Sequence, residues 1–159
     1  MTTENTFTHL NDKGQAHMVN VADREITIRT ATASGSVKLS PSVVALLREG
    51  GIPKGDVLAT ARVAAIMGAK RTSDLIPLCH PIAIHGVEVE LEITDSGVAI
   101  RIGVKTVDRT GVEMEALTAV SIAGLTIIDM VKALDPGAEI CDIRVEEKSG
   151  GRNGHWVRT

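Results

Sequence analysis

Ile82-Ala-Ile-His-Gly-Val-Glu-Val-Glu-Leu-Glu-Ile-Thr-Asp-Ser-Gly-Val-Ala-Ile-Arg-Ile-Gly-Val-Lys-Thr-Val107 is the stretch on which the fold turns. In its first half Val87, Val89 and Leu91 alternate with Glu88, Glu90 and Glu92, the two-residue period of a half-buried strand. Thr94-Asp-Ser-Gly97 supplies turn residues, and Val98 to Val107 repeats the strand composition. The segment therefore predicts an antiparallel hairpin with one apolar and one charged face.

Working outward from it, Arg24 to Leu39 is rich in Ile, Val and Thr and reads as a strand bent near Ser34-Gly-Ser. Ser40-Pro41 marks a helix start, Val43, Val44, Leu46 and Leu47 supply its apolar face, and Gly50-Gly51 ends it. Asp56 is placed to cap a second helix, Val57 to Ala69, whose last turn runs into Lys70-Arg71, as the helix dipole prefers. Beyond the hairpin, Thr110-Gly-Val-Glu113 fits a capping box opening a long helix to about Leu134. Asp135-Pro-Gly137 stops it, and Ile140 to Glu146 forms a last strand. The order strand, helix, helix, hairpin, helix, strand predicts an α+β fold with the helices packed on one face of an antiparallel sheet. Its nearest named motif is the split β-α-β of ferredoxin-like domains.

The chain has 159 residues, with 17 Lys and Arg against 20 Asp and Glu, a net charge of −3. That length suits one domain spanning 1–159, with mobile ends over about 1–14 and 149–159. Only Phe7 and Trp156 are aromatic, so the core is expected to be Val, Ile, Leu, Ala and Met. Few aromatics and mild acidity argue against nucleic-acid binding by stacking or by a basic surface. Ala116 to Ile128 is uncharged, but its 13 residues fall short of the roughly 20 that cross a bilayer. That stretch is apolar nearly all round, so it is expected to be covered on more than one side, with a subunit interface as one cover. The two cysteines, Cys79 and Cys141, form no metal or disulfide pattern, which fits a reduced cytoplasmic protein.

Three segments are unusual for a scaffold. Lys54-Gly-Asp-Val sets a lysine beside a glycine at a helix start, where anions are favoured; a solvated turn lysine is the plainer reading. Leu78-Cys-His-Pro81 is held between Pro77 and Pro81, which restrict the backbone around Cys79 and His80. The plainer reading there is a small buried cysteine and a capping histidine, and a zinc site from Cys79, His80 and Asp129 is an alternative on ligand type. In the long helix, Glu113 and Glu115 open the first turn, while Asp129 and Lys132 lie three apart on one face. First-turn carboxylates also suit the helix dipole. Asp129 and Lys132 interrupt an apolar run; an ordinary i, i+3 ion pair is the plainer reading, and if the pair is buried a functional role explains it better. Basic residues scattered on an acidic chain suggest a local anion site, and no Walker or G-x-G-x-x-G motif is present.

His17-Met-Val, Lys54-Gly-Asp-Val-Leu-Ala-Thr-Ala-Arg62, Ala69-Lys-Arg-Thr-Ser-Asp-Leu-Ile-Pro-Leu-Cys-His-Pro81, Thr110-Gly-Val-Glu-Met-Glu-Ala-Leu-Thr118, Asp129-Met-Val-Lys132 and Lys148-Ser-Gly-Gly151 together resemble the cyclic pyranopterin monophosphate synthase family, molybdenum cofactor biosynthesis protein C (MoaC). The resemblance runs from about residue 8 to 151. It implies a lyase that converts 3′,8-cyclo-7,8-dihydro-GTP to cyclic pyranopterin monophosphate with release of pyrophosphate. It also implies a ferredoxin-like fold and a homohexamer, a trimer of dimers, with active sites at the dimer interfaces. No protein-bound cofactor or metal is implied, and Mg²⁺ travelling with the triphosphate is compatible with it.

Carried over position by position, the resemblance makes Lys54, Asp129 and Lys132 catalytic. Leu78, Cys79 and His80 become one substrate-binding segment and Met114 with Glu115 another. Glu113, Arg29, Lys70, His17 and Lys148 line the pocket. On that basis Lys132 with Asp129 is expected to shuttle protons, and Lys54 to act as a second acid/base or to hold phosphate. Arg29, Lys70 and Lys148 are expected to neutralise the triphosphate, and Glu113 or Glu115 to contact the guanine-derived edge. Where the family usually has Asp after His-Met-Val this chain has Asn20, so no catalytic role is expected there. The competing readings are a member of the family that binds without turnover and a structural oligomer whose charged pair fixes register.

Overall fold

The strand order of the sheet, β2-β3-β1-β4-β5, carries the fold. A computed structural model describes residues 10–152 and 154–159. Among these described residues the elements are β1 (Thr27–Lys38), α1 (Pro41–Glu49), α2 (Val57–Lys70), a single turn α3 (Thr72–Leu75), β2 (Ile84–Thr94), β3 (Gly97–Asp108), α4 (Glu113–Val131), β4 (Glu139–Ser149) and β5 (Trp156–Val157). Every strand pair is antiparallel. β1 and β2 flank β3, and β3 and β4 flank β1, so each β-α-β unit leaves room for one strand: the expected ferredoxin-like arrangement.

The hairpin forms as its alternation requires, with Thr94 paired to Gly97 across Asp95-Ser96. Asp56 caps α2 by accepting from the Ala59 amide at 2.9 Å, and Gly50 closes α1 in the left-handed conformation at φ 68°. β1 turns Ala31, Ala33 and Val37 to the helices and leaves Thr30, Thr32, Ser34 and Ser36 towards the other face. Two register shifts against β4 lie between Thr32 and Ser36, at the expected bend.

α4 lies across this sheet with α2 beside it. Gly35 permits the first contact, because a Cβ there would stand 2.7 Å from Val120 Cγ1. Gly68 permits the second, where a Cβ would stand 2.8 Å from Ile122 Cγ1. The buried core is aliphatic and includes Val43, Ile100, Ile102, Val120 and Ile127. Methionine stays out of it: Met18, Met67 and Met114 are exposed, and Met130 packs on its edge. α4 is covered on two sides, as its composition requires, and Leu125 on its outer side is 55% exposed. By length and composition its 19 residues would pass as a membrane span; here Ala116, Ala119, Val120, Ala123 and Ile127 fill the core.

Several local expectations are corrected. The capping box does not form, because α4 begins at Glu113 with Val112 as its cap and no side-chain capping bond. Glu113 is instead drawn into an ion pair with Lys148. The last strand runs on to Ser149. Part of the C-terminal stretch expected to be mobile turns back as β5, pairing Trp156 with Lys148 and Val157 with Glu147. Residues 1–9, most of the N-terminal stretch given the same expectation, and residue 153 lie outside the described residues.

Candidate active site

The candidate residues gather at the two ends of α4. At its C-terminal end Asp129 stands between two lysines. Lys132 Nζ donates to Asp129 Oδ1 at 2.9 Å, one helical turn along. Lys54 Nζ, from the turn ahead of α2, reaches Asp129 Oδ2 at 3.3 Å and its carbonyl oxygen at 2.6 Å. Local structure makes this possible: the Asp56 cap fixes the start of α2, and α2 runs antiparallel to α4. The pair is not buried, so the condition for reading it as a buried functional pair is not met: all three side chains are about half exposed. Asp129 and Lys132 lie on the outward face of α4 with Leu125, whereas Ile127 and Val131 on its inward face are fully buried. Hydrogen bonds from Lys132 first, then Lys54, hold the Asp129 carboxyl below its ordinary range.

The other end of α4 is more enclosed. Glu115 is only 4% exposed. Burial pushes its carboxyl up to about 7, with the charge of Glu113 adding to the rise, against a hydrogen bond from its own backbone amide. Cys79 lies near enough that its thiol, already raised by partial burial, is raised further by Glu115. His80 Nε2 is 2.7 Å from the Val19 carbonyl oxygen, which ties the Leu78–His80 segment to the chain after His17. His17 is half-buried, and its Nδ1 has no hydrogen-bond partner among the described residues. Lys70 is exposed at the end of α2, and Met114 is exposed in the first turn of α4.

Beside this end opens a cavity of about 780 Å³. Arg29, Glu113 and Lys148 line it, and Lys148 Nζ bonds Glu113 Oε1 at 2.9 Å. Arg29 Nε donates to the Asp108 carbonyl at 3.0 Å. Gly151 passes over the Arg29 guanidinium, so closely that a Cβ there would stand 2.0 Å from Nη1. Arg24 and Arg152 also line the cavity, and sequence reasoning missed both. The only signals were an Asp23-Arg-Glu25 charge run after His17-Met-Val and a basic residue after a glycine pair. Asn20 lines it too, its Oδ1 accepting from the Ala22 amide at 2.9 Å.

These two groups do not meet within one chain. Glu113 and Asp129 are sixteen positions apart on a continuous helix, which separates their backbones by about 24 Å. Lys54, Asp129 and Lys132 form one set; Arg29, Glu113 and Lys148 form another, with Glu115, Cys79 and His80 near it. The zinc alternative fails on the same ground, since Asp129 lies at the far end of α4 from Cys79.

A ferredoxin-like α+β domain with a lysine-flanked carboxylate and a cavity lined by both basic and acidic side chains fits an enzyme acting on a small-molecule substrate. The sequence model of the MoaC family matches residues 18–151. A cyclic pyranopterin monophosphate synthase of Streptomyces griseus is 62% identical over 159 residues, covering 100% of this chain and 90% of the relative. One from a Nocardioides species is 61% identical over 155 residues, covering 96% and 95%. Cyclic pyranopterin monophosphate synthase 2 of Mycobacterium tuberculosis is 58% identical over 152 residues, covering 96% and 91%. This chain belongs to the MoaC family.

Proposed function

We propose that the chain converts 3′,8-cyclo-7,8-dihydro-GTP to cyclic pyranopterin monophosphate, releasing pyrophosphate, with the residues at the two ends of α4 dividing the work. Cyclic pyranopterin monophosphate synthesis, a lyase step of molybdenum cofactor biosynthesis, is its activity as a member of the family. The observation that carries the division of roles is the single carboxylate shared by two lysines.

Making a cyclic monophosphate from a triphosphate requires a substrate hydroxyl to attack the α-phosphorus. The bond to the β-phosphate breaks, pyrophosphate departs, and the hydroxyl proton passes to a base. Rearranging the ring system requires further proton transfers. Lys132 and Lys54, oriented by Asp129, are the groups for that traffic. Arg29 and Lys148 supply the charge that binds the triphosphate and stabilises the leaving pyrophosphate. Lys70, at the same end of α4 but outside the cavity lining, adds to that field. His17, Leu78, Cys79, His80, Met114 and Glu115 shape the part that receives the base-derived rings. Glu115, more than ion-paired Glu113, suits the guanine-derived edge.

One substrate meets both sets only if a second copy of the chain brings its own α4 end alongside. The 24 Å separation and the exposed apolar residues Val63, Met67 and Leu125 on α2 and α4 support sites at a dimer interface, within a hexamer built of three dimers. No protein-bound cofactor is required; a Mg²⁺ ion would enter on the triphosphate. The free thiols Cys79 and Cys141 support a cytoplasmic location.

The test is turnover of the cyclised GTP intermediate, following pyrophosphate and pterin product together. Product from the wild type and none from Lys54→Ala or Lys132→Ala supports the assignment. Binding without product would favour a member of the family that no longer turns over.

A further inference from the structure

We propose that β5 is a clasp that positions Lys148 and the glycine loop after it as the phosphate-facing wall of the cavity, with Trp156 and Arg158 as positioning residues. The inference rests on the reading of that cavity given above. The family match ends at residue 151, so β5 lies beyond the segment that defines the family.

Lys148 sits on β4 between two strands. It is paired to Ala31 of β1 on one side and to Trp156 of β5 on the other. Without β5 the end of β4 would be a sheet edge, with β1 and the Glu113 ion pair alone fixing the direction of Lys148. The end of β4 and the loop after it line the cavity through Ser149, Gly150, Gly151, Arg152 and Gly154. Its path is demanding: Gly150 and Gly151 take φ of 98° and 74°, which L side chains rarely adopt.

Both stems of this loop are anchored. His155 Nε2 is 2.9 Å from Glu147 Oε1. The Arg158 amide bonds the Glu146 carbonyl at 2.8 Å, and its Nε donates to the Val145 carbonyl at 2.7 Å. The Arg158 guanidinium also stacks over the Trp156 ring at 5.5 Å. These bonds contribute nothing to the core, because Trp156 and Val157 are about half exposed. A two-residue strand so heavily tied down yet burying so little is placed to hold its neighbours.

The test deletes His155–Thr159 from the full chain and, separately, makes Arg158→Ala, Trp156→Gly and Trp156→Phe. KM for the triphosphate substrate and Kd for inorganic pyrophosphate are measured beside kcat and Tm. The deletion, Arg158→Ala and Trp156→Gly are expected to raise KM and the pyrophosphate Kd about tenfold, the effect of removing one charge-assisted hydrogen bond to the phosphates. In them kcat should stay within about threefold and Tm within a few degrees, and Trp156→Phe should behave as wild type. Unchanged KM and Kd in the deletion would overturn the clasp, and so would a joint collapse of Tm, kcat and KM in all three disruptive variants. Lys148→Ala separates the two readings. If it weakens pyrophosphate binding while the deletion does not, only the clasp fails. If it binds pyrophosphate like wild type, the reading of the cavity fails and the clasp falls with it.

Discussion

The two ends of α4 carry carboxylates in opposite settings. At the N-terminal end Glu115 is buried, and desolvation lifts its carboxyl to about 7. At the C-terminal end Asp129 is exposed, and two ammonium groups hold it ionised. One helix therefore presents a carboxyl that can be neutral near pH 7 and another that cannot. Environments that push two groups apart in this way separate the roles of donor and acceptor. The enclosed end is suited to recognition, whereas the lysine-flanked end is suited to moving protons.

Removing a lysine at the exposed end is the harshest way to test that contrast. Lys132→Ala should lower kcat about a thousandfold, within the range one acid–base group contributes. Its Tm should hardly move, because an exposed pair of this kind adds little stability. Turnover within a few-fold of wild type would place the proton chemistry elsewhere.

Next in size is rescue by mixing. Lys132→Ala chains and Arg29→Ala/Lys148→Ala chains, the latter assayed well below their raised KM so that each kind alone is nearly inactive, are unfolded together and reassembled. If a site takes one end of α4 from each of two copies, about one site in four receives both intact halves, and about a quarter of wild-type activity should return. A site built within one chain would return none. The comparison then becomes one between subunits rather than between the ends of one helix.

How much of this is legible in the sequence depends on how local each feature is. Glu88, Glu90 and Glu92 declare the hairpin because a strand's period needs only its own residues. Asp56 and Gly50 mark helix ends for the same reason. β5 is illegible: Trp156-Val157 is too short to alternate, and its pairing depends on Arg158 finding the Val145 and Glu146 carbonyls. Thr110 and Glu113 match a capping box, but Lys148 claims Glu113 from across the fold. The exposure of Asp129 depends on which face of α4 turns outward, which its apolar neighbours Ile127 and Ile128 do not disclose. Arg24 and Arg152 line one cavity although more than a hundred positions separate them. The residue-level candidates come from resemblance to a family, and the structure shows that they fall into two groups.

A third prediction concerns the enclosed end through pH. The folded-state carboxyl of Glu115 sits at about 7 against an ordinary value of 4.5, so the folded chain binds this proton more tightly than the unfolded chain does. Stability from this group is fully present below pH 4.5 and is lost as pH rises through 7. By linkage the loss is on the order of 3 kcal/mol by pH 8. Glu115→Gln should remove that part of the slope, so its stability relative to wild type should rise between pH 5 and pH 8 in denaturant titrations. A constant difference across that range would mean that Glu115 is ionised throughout, and the contrast with Asp129 would disappear.

The smallest effect is expected at Asn20, where the resemblance leads to an expectation of Asp. The Asn20 oxygen accepts from the Ala22 amide, and a carboxylate oxygen could accept the same bond, so Asn20→Asp should keep the turn and change stability by no more than about 0.5 kcal/mol. It adds one negative charge to a cavity lined by Arg24, Arg29 and Arg152. That charge competes with the triphosphate for the guanidinium groups, so KM should rise by about two- to threefold, and less at high salt. Its kcat should stay unchanged, and that is the informative part. If Asn20→Asp instead raised kcat about tenfold, a carboxylate at the enclosed end would be moving protons. The division between a recognising end and a proton-moving end would then fail at Asn20.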